Sequence, residues 1–434
     1  MSSIWHESAQ LPEFPALEHD IKTDVLIIGG GMAGILTAYF LQQRGVNYVL
    51  VEKDRIGGGT TGNTTAKITV QHGLIYDTLR KQGGLEAAQQ YFSANTAALQ
   101  QYDALCHAMD CDYERKSNYV YSIDNRRALE QELHTLDAIG CEASLCETLP
   151  LPLATAGAVC VPHQAQFHPL KFLSHITEGL SIYEHTFVRE MRGNTAVTDR
   201  AQIQADKVIV TTHFPFLNKH GSYFLKLYQH RSYVIALEDA PDVDGMYVDD
   251  SRTGLSFRNY GRFLLLGGGG HRTGKPGGGW NELRQFASKQ YPGASERYHW
   301  AAQDCMSLDH LPYIGHYSSR TAELYTASGF NKWGMTGSMV SAMLLRDLAT
   351  GVSNDYADLF SPSRSILKPQ LLVNGWEAVV HLLTPSRKRC PHLGCALKWN
   401  PAEHSWDCPC HGSRFTEDGR VIDNPANGDR KEDS

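Results

Sequence analysis

VLIIGGGMAGILTAYFLQQRGVNYVLVEK, residues Val25–Lys53, decides the architecture. Asp24–Gly29 is an apolar run of the kind buried on both faces of a parallel sheet. Met32–Gly45 places Ile35, Ala38, Tyr39 and Leu41 at helical spacing, and Tyr48–Glu52 is a second strand. This strand, helix and strand open a doubly wound sheet. Gly29 suits the tight turn, Gly31 a close backbone approach to a pyrophosphate, and Gly34 close packing of helix on strand. Glu52 lies 23 residues after Gly29, where a carboxylate accepts hydrogen bonds from ribose hydroxyls. Met32 and Ala33 at the helix start, and Lys53 beside Glu52, complete this part of a candidate dinucleotide site.

Outward from that unit, the sequence is helical in pattern from Tyr76 to about Leu136. Strand-like runs follow at Lys207–Thr212, Arg231–Leu237 and Phe263–Leu266, and Met335–Thr350 reads as a closing helix. The expected fold is α/β: a doubly wound Rossmann-type domain interleaved with an α+β substrate domain, plus a small C-terminal all-β module. The dinucleotide-binding parts are about 22–80, 155–215 and 309–352, and the substrate domain about 81–154 and 216–308. Residues 353–370, rich in Ser and Pro, read as a linker, and 371–434 as the last module.

At 434 residues the chain is long enough for two or three domains, and 42% hydrophobic with 20% charged residues is ordinary for a folded protein. A net charge of −7 without a Lys/Arg run argues against a nucleic-acid partner. No apolar stretch is long enough for a membrane span, so a cytoplasmic protein is expected.

Of ten cysteines, Cys390, Cys395, Cys408 and Cys410 crowd together. Cys390-Pro-His392 and Cys408-Pro-Cys410-His411 offer two thiolates and two imidazoles. That set suits a two-iron two-sulfur cluster of mixed ligation, or tetrahedral zinc. The additional cysteine pair and the Gly412-Ser413 turn favour the cluster.

In GGGTTGNTTAK (Gly57–Lys67), DHLPYIG (Asp309–Gly315) and ASGFNKWGMTGS (Ala327–Ser338) the chain resembles the glycine oxidase and D-amino acid oxidase group of FAD enzymes, over about residues 22–352. The resemblance implies bound FAD. It brings Thr60, Thr61 and Thr65, then Val188, then Gly334, Met335 and Thr336 at a flavin-covering helix, into the cofactor site. CPHLGC (390–395) and CPCHGSRF (408–415) resemble the Rieske proteins of cytochrome bc complexes. That likeness implies a Cys395–Cys410 disulfide, a Ser413 hydroxyl donating to a cluster sulfur, and Phe415 at the position of a donating tyrosine. It also makes Pro425 the proline of a covering loop, with Asn424 where the family usually has Gly. The segment LLVNGWEAVVHLLTPSRKR leaves room only for shortened early strands.

A flavin without an evident NAD(P)H site, joined to a one-electron carrier, reads as a dehydrogenase. Hydride would pass from a small amine or amino acid to the flavin, and electrons would leave through the cluster to a ferredoxin or quinone. Arg252 and Arg258 are candidate carboxylate clamps, and Gln71, His72, His271 and Lys332 are further candidates near the flavin segments. The alternatives are an electron-transfer or redox-sensing protein, and a reductase whose cluster feeds the flavin.

Overall fold

The computed structural model describes residues 2–217, 220–251 and 254–430. Strand Ile21–Ile28 ends in four buried residues. It pairs in parallel with Gln202–Val210 on one side and Tyr48–Val51 on the other. Parallel neighbours require a crossover, and helix Met32–Gln43 supplies it. Leu324–Ser328 and Ile182–Tyr183 extend the sheet in parallel, and Tyr313–His316 ends it antiparallel. Helix Gly334–Thr350 packs against helix Met32–Gln43, so both glycine-rich helix starts belong to one layer.

The second sheet has nine strands and is antiparallel except where Met246–Asp249 runs parallel to Glu114–Ser122. Glu114–Ser122 interrupts the segment expected to be helical from Tyr76 to Leu136. Its partners are Gly157–Gln166 and Met246–Asp249, both far along the chain, and their pairing overrides the local pattern. Around it the helices Ile75–Cys106 and Arg126–Ala138 do form. The first breaks at Gly84, where φ is +79°. The second is capped by the Asn125 side chain, which accepts from the Ala128 N–H at 3.1 Å.

A four-stranded antiparallel sheet, Lys398–Asn400, Ser405–Asp407, Arg414–Phe415 and Val421–Asp423, makes the C-terminal module. Its small core gathers Cys390, Cys395, Cys408, Cys410, Leu397, Phe415 and Ala426. Shortened strands were expected ahead of it; instead Pro369–Leu383 is a helix with Pro in its first turn. The stretch that reads as a linker also contains helix Ala357–Phe360, with Phe360 buried in the main core.

The module is docked on the larger body. Arg272 donates to the carbonyls of Pro409 and Cys410, each at 3.0 Å. The Asn424 amide donates to the Phe214 carbonyl at 2.7 Å, a bond that glycine at this position cannot make. Among the described residues no helix is long and apolar enough to cross a membrane.

Candidate active site and cluster site

The glycines divide into two kinds. At Gly34 an added Cβ would stand 2.0 Å from the Gly29 carbonyl oxygen, and at Gly29, φ +115°, it would meet Thr211 O at 2.7 Å. These two positions set how closely helix and strand pack. At Gly31 the nearest atom would be Thr61 Oγ1 at 3.4 Å, and the open space beyond is a cavity of about 970 Å³. Among the described residues nothing fills the space over Gly31, which is the cradle a pyrophosphate needs. Glu52 Oε2 accepts from the Gly30 N–H at 2.7 Å and Oε1 from the Asp54 N–H at 3.0 Å. The turn thereby fixes this carboxylate on the cavity wall.

Gly29, Gly31, Met32, Ala33, Glu52, Lys53, Thr60, Thr61, Thr65, Val188, Gly334 and Met335 all line that cavity. Thr61 accepts from the Met32 N–H at 3.0 Å, tying the second loop to the first. Thr336 does not line it. Its hydroxyl donates to Thr69 O at 2.9 Å, behind the wall, and anchors the helix start to strand Lys67–Ile68.

The substrate candidates separate in the same way. His72 is on the wall and stacked on Trp333, its centroid 4.8 Å away. Its ring nitrogens lie 2.6 Å from Tyr91 Oη and 2.7 Å from Thr69 O. Burial lowers its pKa to about 3, so it is neutral at pH 7. Lys332 is on the wall, whereas His271 stands behind it, 3.0 Å from the Tyr233 hydroxyl. Gln71 is buried and donates to Val159 O at 3.0 Å. Arg258, expected as a carboxylate clamp, is not on the wall. It shares a strand face with Ser256, but its guanidinium donates to Ala66 O at 2.8 Å and lies 5.4 Å over the Trp5 ring. Arg252 lies outside the described residues.

Sequence reasoning passed over Arg231, Tyr233 and Lys67, which do reach the wall. Alternation along Tyr228–Glu238 puts Arg231 and Tyr233 on one face. Both are buried, and both engage Glu403 of the C-terminal module. Arg231 Nε donates to Glu403 Oε1 at 2.9 Å, the Tyr233 hydroxyl donates to the same oxygen at 3.0 Å, and Arg414 Nη2 donates to Oε2 at 2.8 Å. Burial alone would raise the Glu403 pKa, but the two guanidinium charges outweigh it and hold the carboxyl below its usual range. Lys67 is buried at the end of the GGGTTGNTTAK loop and donates to Thr65 Oγ1 at 3.1 Å. Burial and the nearby Arg258 charge bring its pKa down to about 7.

In the C-terminal module the Cys390 and Cys408 thiols are buried against each other, and the rings of His392 and His411 stand 5.0 Å apart. Cys395 and Cys410 are joined by a disulfide, which clamps one loop to the other. Tight turns shape both loops: Gly394 N–H donates to Cys390 O and Gly412 N–H to Cys408 O, each at 2.9 Å. Among the described residues the buried Nδ1 of His411 has no hydrogen-bond partner. A buried imidazole nitrogen without a hydrogen-bond partner, in the same pair of loops as two facing thiols, suits a metal-ligand set. Ser413 Oγ accepts from the Ala426 N–H at 3.0 Å and lies against Cys390, and Phe415 is fully buried.

One residue bridges the two sites. Gln303 donates through Nε2 to Gly412 O of the cysteine loop at 2.9 Å, and its own carbonyl accepts from Thr60 Oγ1 on the cavity wall at 3.0 Å. Beside it, Gln229 donates to His411 O at 2.9 Å.

Residues 24–348 match the family model for FAD dependent oxidoreductases, and residues 380–431 match the Rieske [2Fe-2S] domain. The chain is 35% identical to the "Putative Rieske 2Fe-2S iron-sulfur protein YhfW" of Bacillus subtilis, across 98% of this chain and 96% of that one. Its fold is similar to glycine oxidase from Geobacillus kaustophilus, with a TM-score of 0.67 and 19% identity over 80% of this chain and 99% of that one. It is also similar to L-proline dehydrogenase from P. horikoshii, with a TM-score of 0.67 and 16% identity over 80% and 98%. The cavity accommodates FAD and the thiol and imidazole pairs suit the cluster, so the chain belongs to the FAD dependent oxidoreductase family and carries, at its C-terminal end, a Rieske domain with a two-iron two-sulfur cluster.

Proposed function

We propose that this chain is a dehydrogenase of a small amine or amino acid that sends the electrons through its Rieske cluster to an external one-electron carrier, a ferredoxin or a quinone. The single observation carrying this reading is Gln303, whose amide and carbonyl bond the cysteine loop and the FAD cavity wall at once. The two solved neighbours named above are an oxidase of glycine and a dehydrogenase of proline, which supports the substrate class.

FAD supplies the hydride acceptor, and the cluster the one-electron step. In this reading Gly29, Gly31, Met32 and Ala33 cradle the pyrophosphate, Gly34 lets the helix pack close behind them, and Glu52 with Lys53 holds the ribose. Thr60, Thr61, Thr65, Val188, Gly334 and Met335 wall the rest, while Thr336 supports them through Thr69. Cys390, Cys408, His392 and His411 are the cluster ligands, and the Cys395–Cys410 bond sets the distance between their loops. His72, neutral and hydrogen-bonded to Thr69 O and Tyr91, positions Trp333 rather than moving a proton.

The test is anaerobic titration of the purified protein with a panel of amino acids and small primary and secondary amines. At least one should bleach the flavin absorbance. If none does and reduced ferredoxin does, electrons run inward and the protein is a reductase.

A further inference from the structure

Helix Pro369–Leu383 is inside out. Asn374, Glu377 and His381, spaced three and four residues apart, face the protein. Asn374 Oδ1 accepts from Arg272 Nη1 at 2.9 Å, Glu377 pairs with Lys275 at 2.8 Å, and His381 is buried. Leu372, Trp376, Val379 and Leu383, spaced four, three and four apart, fall on the opposite stripe. They stand in solvent, with Leu372 78%, Trp376 68% and Leu383 77% exposed. Leu367, Val373, Leu382, Leu393 and Trp399 are exposed as well, and Leu393 directly follows the cluster histidine His392. Most of the large apolar side chains that the described residues expose are therefore gathered on this one segment. A helix that turns its polar ridge inward and its leucines outward is built for a partner surface.

The charge around it says which. From Lys368 to Lys398 there are five cations (Lys368, Arg387, Lys388, Arg389, Lys398) and one acid, Glu377, which is turned inward onto Lys275. The chain as a whole carries −7. A basic rim around an exposed Leu/Trp stripe on an otherwise acidic protein complements a layer that is apolar beneath and anionic above. We propose that this helix lies flat in the surface of an anionic lipid bilayer, with Leu372, Trp376, Val379 and Leu383 among the acyl chains. Arg387 then sits at the phosphates, with Lys388, over the Trp406 ring, and Arg389, which donates to the Leu382, Thr384 and Gly394 carbonyls, adding positive charge beside it. Docked in this way, the His392 loop faces the membrane through Leu393. The proposal is independent of the direction of electron flow.

The experiment is cosedimentation of the full-length holoprotein with phosphatidylcholine vesicles, with and without phosphatidylglycerol, run beside sedimentation velocity without lipid. The protein should pellet with the anionic vesicles and be released by salt. Arg387→Gln with Lys388→Gln should weaken binding roughly thirtyfold, at about 1 kcal/mol per surface cation. Trp376→Ser should weaken it further. Both variants should keep the flavin and cluster absorbance, since Arg387 and Trp376 are exposed and Lys388 only lies over the outer face of Trp406, outside the buried core. Failure to pellet with anionic vesicles overturns the proposal. A lipid-indifferent dimer that Trp376→Ser dissociates overturns it in favour of a second copy of this chain.

Discussion

Replacing Glu403 by Gln tests how the Rieske module is held to the cavity. Its carboxylate is buried between Arg231 and Arg414 and takes the Tyr233 hydroxyl as well. The amide keeps the shape and removes the charge, which leaves Arg231 without its ion-pair partner in the module, Asp423 acting on it only as a further charge. Breaking a buried pair from one side costs about 3–5 kcal/mol, because the remaining ion has lost its compensation in a poorly solvated place. Arg414 loses less, since Asp407 and Asp423 still hold it at 3.0 and 3.1 Å.

The assay is urea unfolding followed by both flavin fluorescence and cluster absorbance. The cluster transition should move to lower urea and separate from the flavin transition as the module undocks. Arg231→Leu with Glu403→Leu removes both charges together and should recover most of the loss. The pH dependence has a definite sign. With its pKa depressed in the folded protein, Glu403 contributes fully above its unfolded value of about 4.3, and the contribution is lost as pH falls through the folded value. Acid should therefore undock the wild-type module, with a shallower dependence in Glu403→Gln. A cost below about 1 kcal/mol in the single variant would refute the view that this carboxylate latches the module.

Gly31→Leu should fold but fail to retain FAD, whereas Gly34→Ala should lose stability outright, since its Cβ would lie 2.0 Å from Gly29 O; thermal melts and released-flavin assays separate the two. The apoprotein should gain stability from about pH 7 towards about pH 10.5, at up to roughly 1.4 kcal/mol per pH unit, as buried Lys67 sheds the proton that the unfolded chain keeps. Lys67→Met should flatten that rise in pH-dependent denaturation. In a redox titration read by electron paramagnetic resonance, Ser413→Ala should lower the cluster potential and Phe415→Tyr should raise it, with the flavin potential unmoved. No shift in Phe415→Tyr would mean that this buried ring does not face the cluster.

The glycine turn and the cysteine loops were legible because their chemistry is local. Gly34 must lack a side chain first because of Gly29, five residues earlier, and two loops of Cys and His carry their ligand set in their spelling. What was hidden depends on chain meeting chain. Arg231 could be read as a strand residue, but only tertiary structure brings it Glu403 from a different domain. Arg258 has the chemistry of a carboxylate clamp, yet its place one pleat beyond Ser256 takes it behind Ala66 and away from the cavity. Glu114–Ser122 was read as helix because nothing nearby announces its two remote strand partners. Helix Pro369–Leu383 was read as linker and shortened strands, since an exposed apolar face on a helix runs against the usual inward pattern.

In the proposed function substrate electrons enter at the FAD cavity and leave through the Rieske cluster. Anaerobic rapid mixing with whichever amine or amino acid bleaches the flavin, followed by absorbance and freeze-quenched electron paramagnetic resonance, measures that order. Flavin absorbance should fall first, and the reduced-cluster signal should rise afterwards. Cys408→Ser should abolish the second phase and leave the first intact. A cluster signal that precedes flavin bleaching, or one that never appears while the flavin turns over, would contradict it.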